Sequence, residues 1–214
     1  MKQGLFFVLE GVDGAGTTSQ SRHLASSLQK LGKRAHVTAE PSQGPIGSLL
    51  RQILQRRLVV PARDGSRFPS WNTMALLFAA DRLDHLESEI VPMLQEGITI
   101  ICDRYYHSSV AYQSVTAVVS DQAAQWIDQI NRYARRPDLT VVLDVSFAVA
   151  QQRRRMRHGR ELYESDSLQQ KLCDVYKNIE KYLASEAIVH IDAEASFNRV
   201  AQDLLERVSE LYNR

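Results

Sequence analysis

Residues 5–20, LFFVLEGVDGAGTTSQ, place a glycine-rich turn between a short apolar run and a helix. The continuous apolar run at residues 5–9 is typical of a parallel strand that is buried on both faces. Gly11, Gly14 and Gly16 allow left-handed or crowded backbone angles, so that successive N–H groups can point inward at an anion. The helix predicted over residues 17–31 ends before Gly32 and adds the positive end of its dipole. The stretch therefore predicts a phosphate site.

The spacing Gly11-x-x-x-x-Gly16-x-Thr18 fits the phosphate-binding loop at every position but one. The lysine that normally follows the last glycine is replaced by Thr17, whereas Thr18 stands where a hydroxyl would hold magnesium. An ordinary glycine-rich turn that binds no phosphate is the alternative, and the loop alone leaves both open. The candidate nucleotide-binding residues are Gly11, Val12, Asp13, Gly14, Ala15, Gly16, Thr17 and Thr18.

Length and composition exclude several classes of protein. A chain of 214 residues is most simply one domain, and a formal net charge of +1 gives no general attraction to nucleic acid or to an anionic membrane. Cys102 and Cys173 are the only cysteines, which suggests neither a disulfide framework nor a CxxC metal site. No apolar run is long enough to cross a bilayer. We expect a soluble, cytoplasmic protein that binds neither nucleic acid nor membrane.

Predicted strands alternate with predicted helices along the chain. The strands are expected at 5–9, 35–39, 98–102, 139–145 and 188–191, and the helices at 17–31, 48–57, 72–95, 121–134, 147–156, 167–186 and 196–212. Residues 58–70 are irregular, with a solvated turn at 63–67, and Pro92 is expected to kink the third helix. This alternation requires right-handed crossovers and therefore predicts an α/β fold with a parallel sheet of about five strands and helices on both faces.

Two further groups of residues suggest a ligand. Asp103 and Arg104 follow a buried strand, at the edge where open α/β sheets bind ligands, although a structural ion pair is the alternative. Phe78 and Arg82 are four residues apart on one helix face and could take a nucleobase by stacking and hydrogen bonding. A core phenylalanine beside a surface charge is the alternative there.

Polar and basic stretches follow these groups. Ser108, Ser109, Tyr112 and Gln113 suit recognition of a base or sugar, or else mark a capped helix start. Residues 153–160, RRRMRHGR, contain five arginines and could close on a transferring phosphoryl group. A solvated helix face is the usual meaning of such a charge run.

Six motifs together resemble the thymidylate kinase family. They are LEGVDGAGTTSQ at 9–20, TAEPSQGPIG at 38–47, LLFAADRLDH at 76–85, DRYYHSSVAYQ at 103–113, PDLTVVLDV at 137–145 and HIDA at 190–193. They occur in the family's order and cover nearly the whole chain. The resemblance implies a three-layer, P-loop nucleoside monophosphate kinase-like fold, formed as a single domain over residues 1–214 with a lid at about 153–164. It also implies transfer of a phosphoryl group from ATP to dTMP with Mg²⁺, in a cytoplasmic homodimer.

The resemblance also implies roles for particular residues. Phe78 would stack on thymine, Arg82 would hydrogen-bond the base, and Arg104 would hold the monophosphate. Tyr112 would pack against the deoxyribose, and Asp13 would contact the sugar hydroxyl or organise the donor phosphates. The substrate-binding set comprises Glu40, Phe78, Arg82, Arg104, Ser108, Ser109, Tyr112 and Gln113. The catalytic set comprises Asp13, Arg104, Arg153, Arg157 and Arg160, and the magnesium set comprises Thr18, Asp103 and Glu164.

The chain departs from the family pattern at three places. Thr17 replaces the lysine, Ala39 replaces an arginine, and residues 161–164 lack the usual aspartate-arginine pair. We expect lid arginines or Arg22 to compensate for the lysine. Besides an active dTMP kinase, two hypotheses stay open: a nucleotide-binding regulatory protein that has lost catalysis, and a kinase for another nucleoside monophosphate such as dUMP.

Overall fold

A computed structural model describes residues 3–63, 65–117, 120–156, 163 and 165–212, with residues 120 and 121 described by their backbone alone. Its central feature is a parallel sheet of five strands. These strands are β1 (Phe6–Glu10), β2 (Ala35–Ala39), β5 (Thr99–Asp103), β6 (Leu139–Asp144) and β7 (Ile188–Asp192). Their order across the sheet is β2–β5–β1–β6–β7. Helices flank the sheet, so the predicted α/β fold class is confirmed.

The central strand β1 explains the apolar run at the start of the chain. All five of its residues are buried, because β5 and β6 pair with its two edges and helices pack on the sheet. A strand covered on both faces needs a continuous rather than an alternating apolar pattern. The parallel register sets Leu9 opposite Asp103, so that the turns after β1 and β5 leave the same edge of the sheet.

The helices are α1 (Thr17–Lys30), α2 (Pro45–Leu54), α3 (Trp71–His85), α4 (Val91–Gln95), α5 (Tyr106–Thr116), α6 (Ser120–Ile130), α7 (Phe147–Arg155), α8 (Asp166–Tyr176) and α9 (Phe197–Tyr212). The predicted helix 72–95 is three segments, since a π-helical turn at Leu86–Ile90 separates α3 from α4. Pro92 lies in the first turn of α4, where its lack of an N–H costs no hydrogen bond within that helix. The predicted helix 167–186 ends at Tyr176, and a 3₁₀ turn (Ile179–Lys181) follows.

Two elements were not predicted. Residues 58–70, expected to be irregular, contain an antiparallel hairpin of β3 (Val60–Ala62) and β4 (Gly65–Arg67), so the solvated turn at 63–67 runs into a strand. The polar stretch 108–113 lies within α5. Across the described ranges, no helix combines the length and the apolar character needed to cross a bilayer.

Candidate active site

The phosphate loop, residues 11–18, joins β1 to α1 at the carboxyl edge of the sheet. Gly14 has a φ of 96°, and a Cβ there would lie 2.6 Å from the carbonyl oxygen of Ala150 in α7. Any side chain at this position would therefore collide with helix backbone. Gly16 precedes α1 with a φ of 99°, a left-handed conformation that suits glycine. The loop is thus packed against α7, with its last residues forming the start of α1.

Arg104 links this loop to the end of β5. Its backbone is left-handed, with a φ of 69°. The guanidinium donates from Nη1 to the Gly11 carbonyl at 2.6 Å and from Nη2 to Asp13 Oδ1 at 2.7 Å. The ion pair of Arg104 is therefore with Asp13 and not with the adjacent Asp103. Burial alone would lower the pKa of Arg104, but Tyr112 and Asp13 facing it raise it, so the side chain stays charged.

Asp103 turns instead toward the start of α1. Thr18 Oγ1 donates to Asp103 Oδ2 at 2.5 Å, and the buried Asp103 Oδ1 has no hydrogen-bond partner among the described residues. A hydroxyl and a carboxylate with a free oxygen are ligands that Mg²⁺ accepts. Within the described part of the chain, no group of three or more His, Cys, Asp or Glu side chains has an arrangement that could hold a metal ion, and Glu164 lies outside that part.

A cleft opens beside Arg104, between α3 and α5. It is lined by Asp13, Glu40, Pro41, Leu54, Phe78, Arg82, Asp103, Arg104, Tyr105, Ser108, Ser109, Tyr112, Gln113 and Tyr163. This lining includes all eight residues of the predicted substrate-binding set. Pro41, Leu54, Tyr105 and Tyr163 were not predicted; the first lies inside the quoted motif at 38–47, and Tyr105 inside the motif at 103–113.

Arg82 is part of the buried wall of this cleft rather than a surface charge. Its side chain is 1% exposed, donates from Nη2 to Glu40 Oε2 at 2.6 Å and from Nη1 to Asn131 Oδ1 at 2.5 Å. Ser109 Oγ lies 3.3 Å from Nη2. The carboxylate of Glu40 and the amide of Asn131 therefore hold the guanidinium in place beside Phe78, which also lines the cleft.

Several buried polar atoms of the cleft lack a partner. Tyr112 Oη, Gln113 Oε1 and Arg82 Nε form no hydrogen bond with any described residue. Burial also raises the pKa of Tyr112, so its hydroxyl stays protonated and able to donate. Because buried polar groups are nearly always hydrogen-bonded, these atoms fit a polar ligand in the cleft.

Glu10, which was not predicted, anchors α5, the helix that carries four of the cleft residues. It is fully buried at the end of β1. Its Oε1 accepts the backbone N–H of Tyr105 at 2.7 Å, and its Oε2 accepts Ser108 Oγ–H at 2.7 Å and Tyr176 Oη–H at 3.0 Å. The hydroxyl of Ser108 is thus committed to Glu10. A glutamate that ends a buried apolar strand was the available signal, because a buried carboxylate needs several donors.

Arginines of α7 approach the phosphate loop from its outer side. Arg154 Nη1 donates to the Asp13 carbonyl at 3.0 Å, while Arg153 donates to the Ala193 carbonyl at 2.9 Å and lies 3.5 Å from the Gly14 carbonyl. Arg154 was not among the predicted residues, although it belongs to the arginine run at 153–160. Arg157 and Arg160 lie outside the described residues.

The family model described as thymidylate kinase matches residues 9–204 of this chain. This chain belongs to the thymidylate kinase family. The match spans both the phosphate loop and the cleft between α3 and α5, so the resemblance read from the six motifs is confirmed at the level of the family.

Curated relatives agree with this thymidylate kinase assignment. A protein of Pyrococcus abyssi named "Probable thymidylate kinase" is 36% identical over 206 residues, which cover 95% of each chain. One of the same name from Pyrobaculum aerophilum is 37% identical over 204 residues, again 95% of each chain. A third, from Pyrococcus horikoshii, is 40% identical over 166 residues, or 78% of this chain and 76% of the relative.

For this member of the thymidylate kinase family, the geometry brings the predicted residues together in two groups. Gly11, Asp13 and Thr18 form one group with Arg104 and Asp103, which reach the loop from β5. The eight cleft residues form the second group, and Arg104 belongs to both. Arg22 is exposed on α1.

Proposed function

We propose that this chain transfers the γ-phosphoryl group of ATP to dTMP, giving dTDP and ADP. The observation that carries the proposal is the position of Arg104. Its guanidinium contacts the phosphate loop at Gly11 and also lines the cleft. An enzyme that moves a phosphoryl group between two nucleotides works mainly by positioning and charge neutralisation, and a cation shared by both sites serves that purpose.

On the donor side, the backbone N–H groups of residues 14–18 and the amino end of α1 would receive the ATP phosphates. Thr18 and Asp103 would hold Mg²⁺, which neutralises phosphate charge when it is bound, and Glu164 is proposed as a third ligand. Arg153, Arg157 and Arg160 are proposed to belong to a lid at about 153–164, within a single domain over residues 1–214. We infer that arginines replace the missing lysine.

On the acceptor side, Phe78 would stack on thymine and Arg82 would hydrogen-bond the base. Tyr112 would pack against the deoxyribose, while Gln113 and Ser109 complete the base pocket. Arg104 would hold the monophosphate. Asp13 would orient Arg104 and meet the sugar hydroxyl or the donor phosphates. Its Oδ1 accepts from Arg104 and its Oδ2 from Gln169 at 2.8 Å, so the carboxylate is held from two sides.

We further propose a cytoplasmic homodimer. Leu76 and Leu83 are 52% and 36% exposed on α3, and Ala80 between them is also exposed. Residues at positions i, i+4 and i+7 share one face of a helix, so these three form an apolar stripe open to solvent. A second copy of the chain that presents the same stripe would cover it.

The test is a coupled assay of ADP release with ATP, Mg²⁺ and a panel of acceptors: dTMP, dUMP, dCMP and dGMP. Turnover should be fastest with dTMP, with dUMP second because a pocket that accommodates one methyl group discriminates weakly. Binding of dTMP without turnover would favour the regulatory protein that has lost catalysis. If another monophosphate gives the fastest turnover, that monophosphate and not dTMP is the acceptor.

A further inference from the structure

His85, the last residue of α3, lies between two carboxylates. Its side chain is 1% exposed, its Nδ1 is 3.6 Å from Glu40 Oε1, and its Nε2 is 3.3 Å from Glu89 Oε2. Thr38 Oγ1 is also 2.7 Å from Nε2. A neutral imidazole carries a single N–H and can donate toward only one of the two carboxylates. The imidazolium donates toward both.

Glu40 connects His85 to the cleft. Its Oε2 accepts from Arg82, whereas its Oε1 is buried and has no hydrogen-bond partner among the described residues. His85 Nδ1 faces Oε1, and it too has no hydrogen-bond partner among the described residues. Glu40 and Arg82 both line the cleft, whereas His85 does not. Glu40 is therefore the residue that lies between His85 and the cleft.

The π-helical turn after α3 supplies the second carboxylate. Glu89 lies within this turn, and its Oε1 is 2.7 Å from Nε2 of the half-exposed His36 while its Oε2 faces His85. Single π-turns within helices are frequent at functional sites. Here the turn places one carboxylate between a buried and a half-exposed histidine.

We propose that protonated His85 is a positioning residue for the acceptor nucleotide: it fixes Glu40, Glu40 fixes Arg82 in the cleft, and dTMP affinity falls when His85 loses its proton. The inference rests on the proposed function. It adds a residue that touches no substrate and a direction for the pH dependence of acceptor binding.

The charges around His85 set the sign of this dependence. Burial lowers the pKa of His85, whereas the negative charges of Glu40, Glu89 and Asp81 raise it. The three carboxylates together outweigh burial, so the pKa is raised above 6.5. His36 faces the same carboxylate from β2, and Arg82 faces Glu40 from the opposite side. The imidazolium is therefore the predominant form at and below pH 6.5. Its contribution to dTMP binding is lost as the pH rises through the raised pKa that His85 has in the folded protein.

The experiment is calorimetric titration of the full chain with dTMP between pH 5.5 and 9, for the wild type, His85→Gln, Glu89→Gln and His36→Gln. The phosphate of dTMP has its own pKa near 6, but its titration is the same for every variant and cancels in a ratio of affinities. At low pH, His85→Gln should bind dTMP about tenfold more weakly than the wild type, because the buried cation that faces the Glu40 carboxylate is lost. The ratio should approach one at high pH, where both side chains are neutral.

Two further variants separate positioning from simple damage. Glu89→Gln removes one of the carboxylates that raise the pKa of His85. The affinity of this variant for dTMP should therefore begin to fall at a lower pH than that of the wild type. His36→Gln is the matched control, since His36 contacts Glu89 but faces neither Glu40 nor Arg82, and it should keep the pH dependence. NMR titration of the His85 ring gives a readout independent of the variants. By reciprocity, saturating dTMP should raise the pKa of His85.

A ratio of affinities that is constant across pH, or a His85 pKa that dTMP leaves unchanged, would overturn the inference. If His85→Gln does not fold, the shift in Glu89→Gln and the NMR titration decide it. A wild type that binds no dTMP at any pH would instead contradict the proposed function.

Discussion

Thr17 occupies the position at which a phosphate loop usually carries a lysine. It is buried at the start of α1, where a lysine would otherwise bring an ammonium to the phosphates. The structure places guanidinium groups around the outside of the loop instead. Arg104 contacts the carbonyl of Gly11 and Arg154 contacts that of Asp13. The positive charge near the loop therefore comes from Arg104, which follows β5, and from Arg154 in α7.

We predict that Arg154→Ala lowers kcat about 100-fold, which is the usual cost of removing one preorganised donor from a charged transition state. The side chain of Arg154 is 8% exposed and bonds to the loop, whereas the next residue, Arg155, is exposed. Arg155→Ala is thus the matched control and should change kcat less than about twofold. Steady-state ADP release measures both variants.

A second step tests whether the arginine stands in for the lysine. Thr17→Lys in the Arg154→Ala background should recover part of the lost kcat, because it restores a cation at the loop. Unchanged turnover in Arg154→Ala would show that Arg154 does not compensate.

At the scale of elements, one carboxylate determines where α5 begins. Glu10 ends β1 and accepts from the backbone of Tyr105 and from the hydroxyl of Ser108. These donors lie at the amino end of α5, where backbone N–H groups have no partner within the helix. The strand therefore orients the helix that carries Ser109, Tyr112 and Gln113 into the cleft.

We predict that Glu10→Gln lowers the free energy of unfolding by about 3 kcal/mol, since an amide group would face several donors in a buried site. Urea denaturation measures the loss. Glu96→Gln is the control: its carboxylate is 66% exposed and 3.7 Å from Arg34, so its loss should cost less than about 0.5 kcal/mol. Equal losses in the two variants would contradict the assigned role of Glu10.

Glu186 makes a second connection to α5 and should affect acid stability. It accepts from Tyr106 Oη at 2.7 Å and is 2.8 Å from His107 Nε2. Burial raises the pKa of Glu186, but His107, Tyr106 and Arg136 lower it more, to below 4.5. The contribution of Glu186 to stability is therefore fully present above pH 4.5. It is lost as the pH falls through the lowered pKa that Glu186 has in the folded protein.

We predict that the difference in unfolding free energy between the wild type and Glu186→Gln shrinks as the pH falls from 6 to 3. Urea denaturation at a series of pH values measures it. Other carboxylates titrate over the same range, but they contribute equally to both proteins. A difference that does not change with pH would contradict the assigned pKa shift.

At the scale of the whole molecule, α3 presents one face to the cleft and another to solvent. Phe78 and Arg82 line the cleft, and Leu76, Ala80 and Leu83 form the exposed apolar stripe. The residues of the two faces alternate along one helix. If the stripe is a dimer interface, assembly of the homodimer and the shape of the cleft depend on the same element.

We predict that Leu76→Glu combined with Leu83→Glu converts the proposed homodimer to a monomer, because two charges would be buried at the interface. Leu31→Glu is the control, since Leu31 is 59% exposed at the end of α1, away from the stripe. Sedimentation velocity distinguishes the two states. A monomeric wild type, or a dimer unaffected by the double change, would exclude this interface.

Local patterns were sufficient to predict much of the chain. The apolar run before the glycines predicted β1, and the alternation of strands with helices predicted the five-stranded parallel sheet. The same patterns missed α5 and the β3–β4 hairpin. The start of α5 depends on Glu10, which is nearly a hundred positions earlier in the chain. The apolar spacing after residue 86 did not reveal the π-turn, because a single turn of different hydrogen bonding scarcely alters a helical periodicity.

By itself, the amino-acid sequence determined the order of the elements, the glycines of the phosphate loop and the family, since these depend on residue types at short and regular spacings. Only the tertiary structure decided which charges pair. Arg104 binds Asp13, 91 positions away, rather than its neighbour Asp103, and Arg82 binds Glu40, 42 positions away. These pairings follow from the register of the parallel strands and the packing of helices on them, which bring distant residues together in ways that no local spacing encodes.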